Sequence, residues 1–148
     1  MAAKFGTSGL RGLVEELDDG TAAAYTIAFL RHLKASGLIA EGDSVFVGQD
    51  LRPSSAEIAA QCMAAIEDEK LDPVDCGALP TPALAIHAMA RKAASIMITG
   101  SHIPADRNGV KFYRPDGEID KDDEAAMTAS VGDVDKAALR WTPHHKPT

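Results

Sequence analysis

Aromatic side chains are scarce in this chain: they make up 5% of its 148 residues, with a single tryptophan. Aliphatic residues and alanine must therefore fill any core. Cysteine is nearly absent. Cys62 and Cys76 make no disulfide framework, and both sit in apolar segments, so they read as buried, reduced thiols. No apolar run approaches the roughly 18 residues that a membrane span requires, and the first residues carry no signal-peptide pattern. The expectation is a cytoplasmic protein without a membrane partner. Positive charge is also short. Fifteen Lys and Arg stand against 22 Asp and Glu, a formal net charge of −7. That balance excludes a general nucleic-acid surface, though not an anionic ligand, because local cations can override net charge.

What is present suits one globular domain. Hydrophobic residues make up 45% of the chain, an ordinary share, and a chain this long can bury roughly 68–70% of its unfolded surface. The opening Lys4-Phe-Gly-Thr-Ser-Gly-Leu-Arg-Gly12 has glycines at 6, 9 and 12 and reads as a loop that can approach a ligand closely. Thr7, Ser8 and Arg11 add groups that suit phosphate. Helical spacing of Tyr25, Phe29, Leu30 and Leu33 predicts a helix over 21–36, capped by Thr21 and ended by Gly37, with His32 as a surface or packed side chain. A strand follows at 44–48. Ser54-Ser-Ala-Glu57 has capping-box spacing and opens a helix to about Glu69. Residues 73–77 read as a strand. Thr81 and Pro82 then open a helix that ends near Lys92, with Thr81 as its cap. Residues 95–99 form an apolar strand covered on both faces. Asn108-Gly109 reads as a turn before a further strand at 110–113, and Asp122-Asp-Glu124 opens a last helix with acid at its positive end. Residues 133–148, with Trp141 and the pair His144-His145, read as a linker or tail, which leaves the domain at 1–132.

This alternation of strand and helix gives the fold class as α/β: a single-domain, three-layer αβα sandwich with a mostly parallel, mixed sheet. Ligands gather at the carboxyl ends of parallel strands. Three polar loops follow strands, at 49–52, 77–81 and 100–108, and a parallel sheet brings them to one edge. The third loop holds the hydroxyl of Ser101, the imidazole of His102 and, beyond it, the amine of Lys111. Each has a bland counterpart: a turn serine, a surface histidine, a strand lysine. His102, as the direct neighbour of Ser101, is poorly placed to be its base. The Gly-x-Ser-x-Gly elbow of hydrolases and the Gly-Lys-Ser/Thr of P-loops are both missing.

Four segments, in order, resemble the first domain of the α-D-phosphohexomutases, the family of phosphomannomutase, phosphoglucomutase and phosphoglucosamine mutase. They are Phe5–Gly12, Val47-Gly-Gln-Asp-Leu-Arg-Pro-Ser-Ser55, Gly77-Ala-Leu-Pro-Thr-Pro82, and Thr99-Gly-Ser-His-Ile-Pro-Ala-Asp-Arg-Asn-Gly-Val-Lys-Phe112. The resemblance implies that Ser101 is a phosphoserine, that His102 lines the site, and that Lys111 assists proton transfer at a sugar hydroxyl. It implies that Arg11 is an active-site arginine, and that Thr7, Ser8 and Gly9 belong to a phosphate-binding loop. It implies Mg²⁺, held by the phosphate on Ser101 and by aspartates of a second domain. The reaction would interconvert hexose 1-phosphate and hexose 6-phosphate, of mannose or glucose, through a bisphosphorylated sugar, with the remaining domains of the same enzyme as partners. Ile103 stands where the family usually has Asn, and this chain holds no Asp-Gly-Asp metal loop. It reads as a fragment inactive alone. The alternatives are a stand-alone module that binds a sugar phosphate or another anion without chemistry and, with less support, a serine hydrolase.

Overall fold

In the computed structural model, residues 3–6, 9–100, 104 and 106–134 are described. The glycine-rich opening is strand on either side of residues 7–8, not loop throughout. β1 (Lys4–Gly6) pairs antiparallel with β2 (Gly9–Leu13), with Gly6 opposite Gly9. After the single turn α1 (Val14–Leu17) comes α2 (Thr21–Ala35), then β3 (Ser44–Gln49), α3 (Pro53–Asp68), β4 (Asp72–Ala78), α4 (Thr81–Ala90) and β5 (Ala94–Ile98). The strand β6 (Arg107–Arg114), the short β7 (Gly117–Glu118) and α5 (Lys121–Val131) complete the fold. Among the described residues no helix is long and apolar enough to cross a membrane. Trp141, His144 and His145 lie outside the described residues, as does the tail beyond 134.

The helices fall where periodicity put them, but three start signals act differently. Thr21 is the first helical residue behind Gly20, whose φ of 105° is open to glycine. Its hydroxyl bonds Asp19 at 2.6 Å. Pro80, not Thr81, caps α4. The capping box at Ser54–Glu57 does not form. Arg52 is the N-cap of α3 without a side-chain bond, and Pro53 holds the first helical position, where a missing N–H costs nothing. The two serines are thereby inside the first turn, and their hydroxyls serve another purpose.

The strands order as β1-β2-β6-β5-β3-β4, with β7 also on β6. The sheet is mixed. Its balance is less parallel than expected: β4-β3-β5 is the parallel part, and every ladder made by β6 and β2 is antiparallel. Connection length explains this. α3 and α4 carry the chain back across the sheet between parallel strands, whereas 99–106 is too short for a crossover and reverses the chain. Asn108-Gly109 is not the reversing turn. Both residues lie in β6, opposite Gly12 and Arg11 of β2.

One sheet face carries the main core. Leu10, Val45, Val47, Ile96, Ile98, Val110 and Phe112 meet Phe29, Leu33, Ile58, Cys62, Ile66 and Met127 of α2, α3 and α5. Phe29 and Phe112 pack with ring centroids 5.0 Å apart and their planes tilted by 48°, and burial pushes the Cys62 thiol up to about 12, so it stays protonated. The opposite face is covered by α4 over β3 and β5, where Leu84 and Ala88 pack on Phe46 and Met97. Side chains alternate along a strand. Since Leu10, Val110 and Phe112 face the main core, Arg11, Gly109 and Lys111 belong to the other face.

α5 is held by a buried carboxylate. Asp120 and Asp123 form a reciprocal cap: the Asp120 carboxylate accepts from Asp123 N–H at 2.8 Å, and the Asp123 carboxylate accepts from Asp120 N–H at 2.9 Å. His32 Nε2 lies 2.7 Å from Asp123 Oδ1, and Arg114 Nη1 donates to Oδ2 at 3.1 Å. Burial alone would raise this carboxyl, but the bonds from Asp120 N–H, His32 and Arg114 outweigh it and hold it below its ordinary value. Its stabilising effect is therefore complete above the usual carboxylate range and is lost as pH falls through the depressed folded value. Asp123→Ala should cost about 3 kcal/mol, the scale for removing one partner of a buried charge cluster. Denaturant unfolding at pH 7 measures this, and the deficit should shrink as the parent protein is acidified below about pH 4.

Candidate active site

The loops after β3, β4 and β5 meet at one edge, as the parallel part of the sheet requires. Asp50 N–H donates to Ile98 O at 2.9 Å, Leu79 N–H to Gln49 O at 3.2 Å, and Gly100 N–H to Asp50 Oδ2 at 2.9 Å. Asp50 is the hub. Its Oδ1 accepts from Arg52 N–H at 3.0 Å and from the Ser55 hydroxyl, and Thr99 adds a side-chain bond. Partial burial raises this carboxyl, but the bonds from Ser55, Gly100 N–H, Arg52 N–H and Thr99 prevail and leave it below its usual value. It is an anion fixed by four donors.

A second set of bonds ties the start of α3 to β6. Asn108 is fully buried, and its amide donates to the hydroxyls of Ser54 at 2.9 Å and Ser55 at 3.0 Å. Asn108 Oδ1 accepts from Gly109 N–H at 2.8 Å. The loop 49–52 was expected at this edge, but Asp50, Arg52, Ser54, Ser55 and Asn108 were given no individual role in the site. The available signal was polar residues of both hydrogen-bonding types packed around Pro53 at a strand-to-helix junction. A turn reading of Asn-Gly and a capping reading of Ser54 used that signal up locally.

Of the expected site residues, Ser101, His102, Thr7 and Ser8, together with Ile103, lie outside the described residues. Gly9, Arg11 and Lys111 lie within them, and the structure brings these three together. Arg11 stands directly opposite Gly109, and Lys111 follows two residues on along the same face. Gly109 O in turn accepts from Thr99 N–H at 3.0 Å, so Lys111 lies on the strand beside β5 and Arg11 one strand further out, on β2. Among the described residues Arg11 Nη1 is buried without a hydrogen-bond partner. Such a donor is costly to leave unmade and suits an anionic ligand. Lys111 lines a cleft of about 220 Å³ with Gly9, Tyr113, Glu118 and Glu124. Gly9 is required there: its φ is 96°, and a Cβ would stand 2.6 Å from Val110 O. Among the described residues no three His, Cys, Asp or Glu side chains gather to hold a metal ion, so these residues do not by themselves build a Mg²⁺ site.

Residues 2–138 match the family described as phosphoglucomutase/phosphomannomutase, alpha/beta/alpha domain I. This chain belongs to that family. It is 61% identical over 129 residues to a phosphomannomutase of Sinorhizobium fredii, a match that covers 87% of this chain and 27% of the relative. It is 48% identical over 123 residues to a phosphomannomutase of Salmonella muenchen, covering 83% of this chain and 25% of the relative. Among solved structures it superposes on a phosphoglucomutase/phosphomannomutase family protein of Burkholderia thailandensis with a TM-score of 0.72 and 27% identity, over 90% of this chain and 30% of that one. The chain thus spans about a quarter of the length of the curated relatives it matches.

Two outcomes follow for a domain I of this family built this way. Asp50→Ala strands the N–H groups of Gly100 and Arg52 and the Ser55 hydroxyl, and should lower unfolding stability by about 2–3 kcal/mol. Gly9→Ala should cost more than the roughly 1 kcal/mol of a simple left-handed penalty, because the added methyl also meets Val110 O. Chemical denaturation of each variant beside the parent measures both.

Proposed function

We propose that this chain is the phosphoserine-bearing first domain of a phosphohexomutase that interconverts hexose 1-phosphate and hexose 6-phosphate. The observation that carries the reading is the pair Arg11 and Lys111. They lie on one sheet face, Lys111 on the strand beside the one entering residue 101 and Arg11 on the next strand out, and among the described residues Arg11 presents a buried, unpartnered donor. Phosphoryl transfer needs positioning and positive charge more than covalent ingenuity, and this face supplies both. In the proposed cycle, phosphorylated Ser101 gives its phosphoryl group to a free sugar hydroxyl, and Lys111 assists removal of that hydroxyl's proton. The bisphosphorylated sugar reorients, and its other phosphoryl group returns to Ser101. Arg11 and the backbone of Thr7, Ser8 and Gly9 hold phosphate oxygens, and His102 lines the site. Mg²⁺ belongs to this reading as an ion whose carboxylate ligands come from outside this chain.

The names of the two most similar relatives quoted above favour mannose phosphate as the sugar. By this reading the 148 residues do not turn over alone, because sugar-selecting and metal-binding segments are not among them. The test is made in the full-length polypeptide that carries this sequence. Ser101→Ala should abolish the acid-stable phosphoenzyme formed with a bisphosphorylated hexose, and persistent labelling of that variant removes Ser101 from its role. Lys111→Ala should lower kcat for mannose 1-phosphate by about 10²–10⁴-fold, the range for loss of a proton-transfer group. Binding of a sugar phosphate with no mutase activity in the full-length parent would favour a binding module instead.

A further inference from the structure

The segment between β5 and β6 is anchored at both of its described ends by a single side chain. Arg52 Nη1 donates to Pro104 O at 2.9 Å and to Arg107 O at 3.0 Å. Its Nε lies 3.6 Å from Asp50 Oδ2, the same oxygen that accepts Gly100 N–H. The guanidinium is seated on the backbone of Gly100. A Cβ at that position would collide with Arg52 Cζ, Nε and Nη1. Gly100 is buried and needs no left-handed backbone, so glycine is present because this plane lies against its Cα. The Arg52 side chain is only 20% exposed. A solvent-exposed ion pair contributes little, but this arginine has backbone carbonyls as its ligands; both follow residues 101–103 in the chain, while Gly100, against which its plane lies, precedes them. Its planar fork fixes donor directions that a lysine ammonium does not reproduce.

We propose that Arg52 is a positioning residue for phosphoryl transfer at Ser101: seated on Gly100 and bonded to the carbonyls of Pro104 and Arg107, it sets the placement of the segment that carries the serine. The inference rests on the reading of Ser101 as the phosphoryl carrier. It gives the junction Asp50–Ser55 a function beyond starting a helix. Asp50 orients the guanidinium from below, Gly100 leaves room for it, and the two carbonyls fix the returning chain. The proposed role of Arg52 is to hold backbone, through the carbonyls of Pro104 and Arg107. It acts on kcat through geometry, because a misplacement of about 1 Å at a reacting group can cost about 10²-fold in rate.

The test compares Arg52→Lys, Gly100→Ala and Ser101→Ala in the full-length polypeptide, with mannose 1-phosphate as substrate. Arg52→Lys keeps the charge and loses the fork. Gly100→Ala keeps every charge and displaces the guanidinium. Both should lower kcat by about 10²-fold with KM little changed and the thermal midpoint near that of the parent. A folded Arg52→Lys or Gly100→Ala protein with parental kcat overturns the proposal, as does a loss confined to KM. If neither variant folds, hydrogen exchange of the Arg52 guanidinium in the parent protein decides. Protected protons support the seat, and exchange at the rate of free arginine overturns it. Ser101→Ala separates the two readings. Activity retained there sinks the phosphoserine reading itself. An inactive Ser101→Ala beside fully active Arg52→Lys and Gly100→Ala removes only the role of Arg52.

Discussion

The carboxylate of Asp50 is the constraint on which the site edge depends. It sits where three chain segments converge: the end of β3, the first turn of α3 and the exit from β5. Its oxygens accept from Gly100 N–H, Arg52 N–H and the Ser55 hydroxyl. An ionised acceptor with several fixed donors is a strong crosslink, since charge-assisted bonds are roughly twice as strong as neutral ones. The hydrogen bonds hold the carboxyl below its usual value against the opposing effect of burial, so the crosslink persists at neutral pH. Around it Ser54, Ser55 and Asn108 form a second ring of neutral bonds. The result joins β3, α3, β5 and β6 through polar contacts at this edge.

The sheet places this edge and its chemistry on different strands for a reason of connection. β3, β4 and β5 are parallel because helices return the chain between them, so their loops collect together. β6 and β2 run the other way, and they bring Arg11 and Lys111 to the neighbouring face by strand pairing. The cations thus lie along the sheet, while the polar loops lie at the strand ends. α4 covers β3 and β5 only in part of that face. The main core with α2, α3 and α5 lies on the opposite face, so the site is built on a rigid floor.

The α/β class, the helices and the convergence of three loops were legible from periodicity and strand order, and the helix bounds differ by a residue or so. What failed did so through tertiary competition for polar side chains. Asn108-Gly109 has the chemistry of a tight turn, but pairing with β2 and the hydroxyls of Ser54 and Ser55 hold it in β6. Ser54 has the spacing of a cap, but Pro53 took the first helical position and the hydroxyls turned to Asn108. The parallel share of the sheet was overestimated because a short segment after β5 can only reverse the chain. His32, read as an ordinary helix side chain, reaches Asp123 across 91 positions, a contact no local pattern encodes.

Composition, periodicity and motif order by themselves determined the class of fold, the order of its elements and, through four segments in sequence, the family. These are local or additive properties: apolar spacing selects helix or strand, and turn residues set boundaries. Only the tertiary structure decided which polar groups meet. The unpartnered Arg11 donor, the pairing of Arg11 with Gly109 beside Lys111, the four donors on Asp50 and the seating of Arg52 on Gly100 all arise between segments distant in the chain. Hydrogen bonds of that kind depend on angles and distances of tenths of an ångström, and strand register and helix packing set those, not the identity of neighbouring residues.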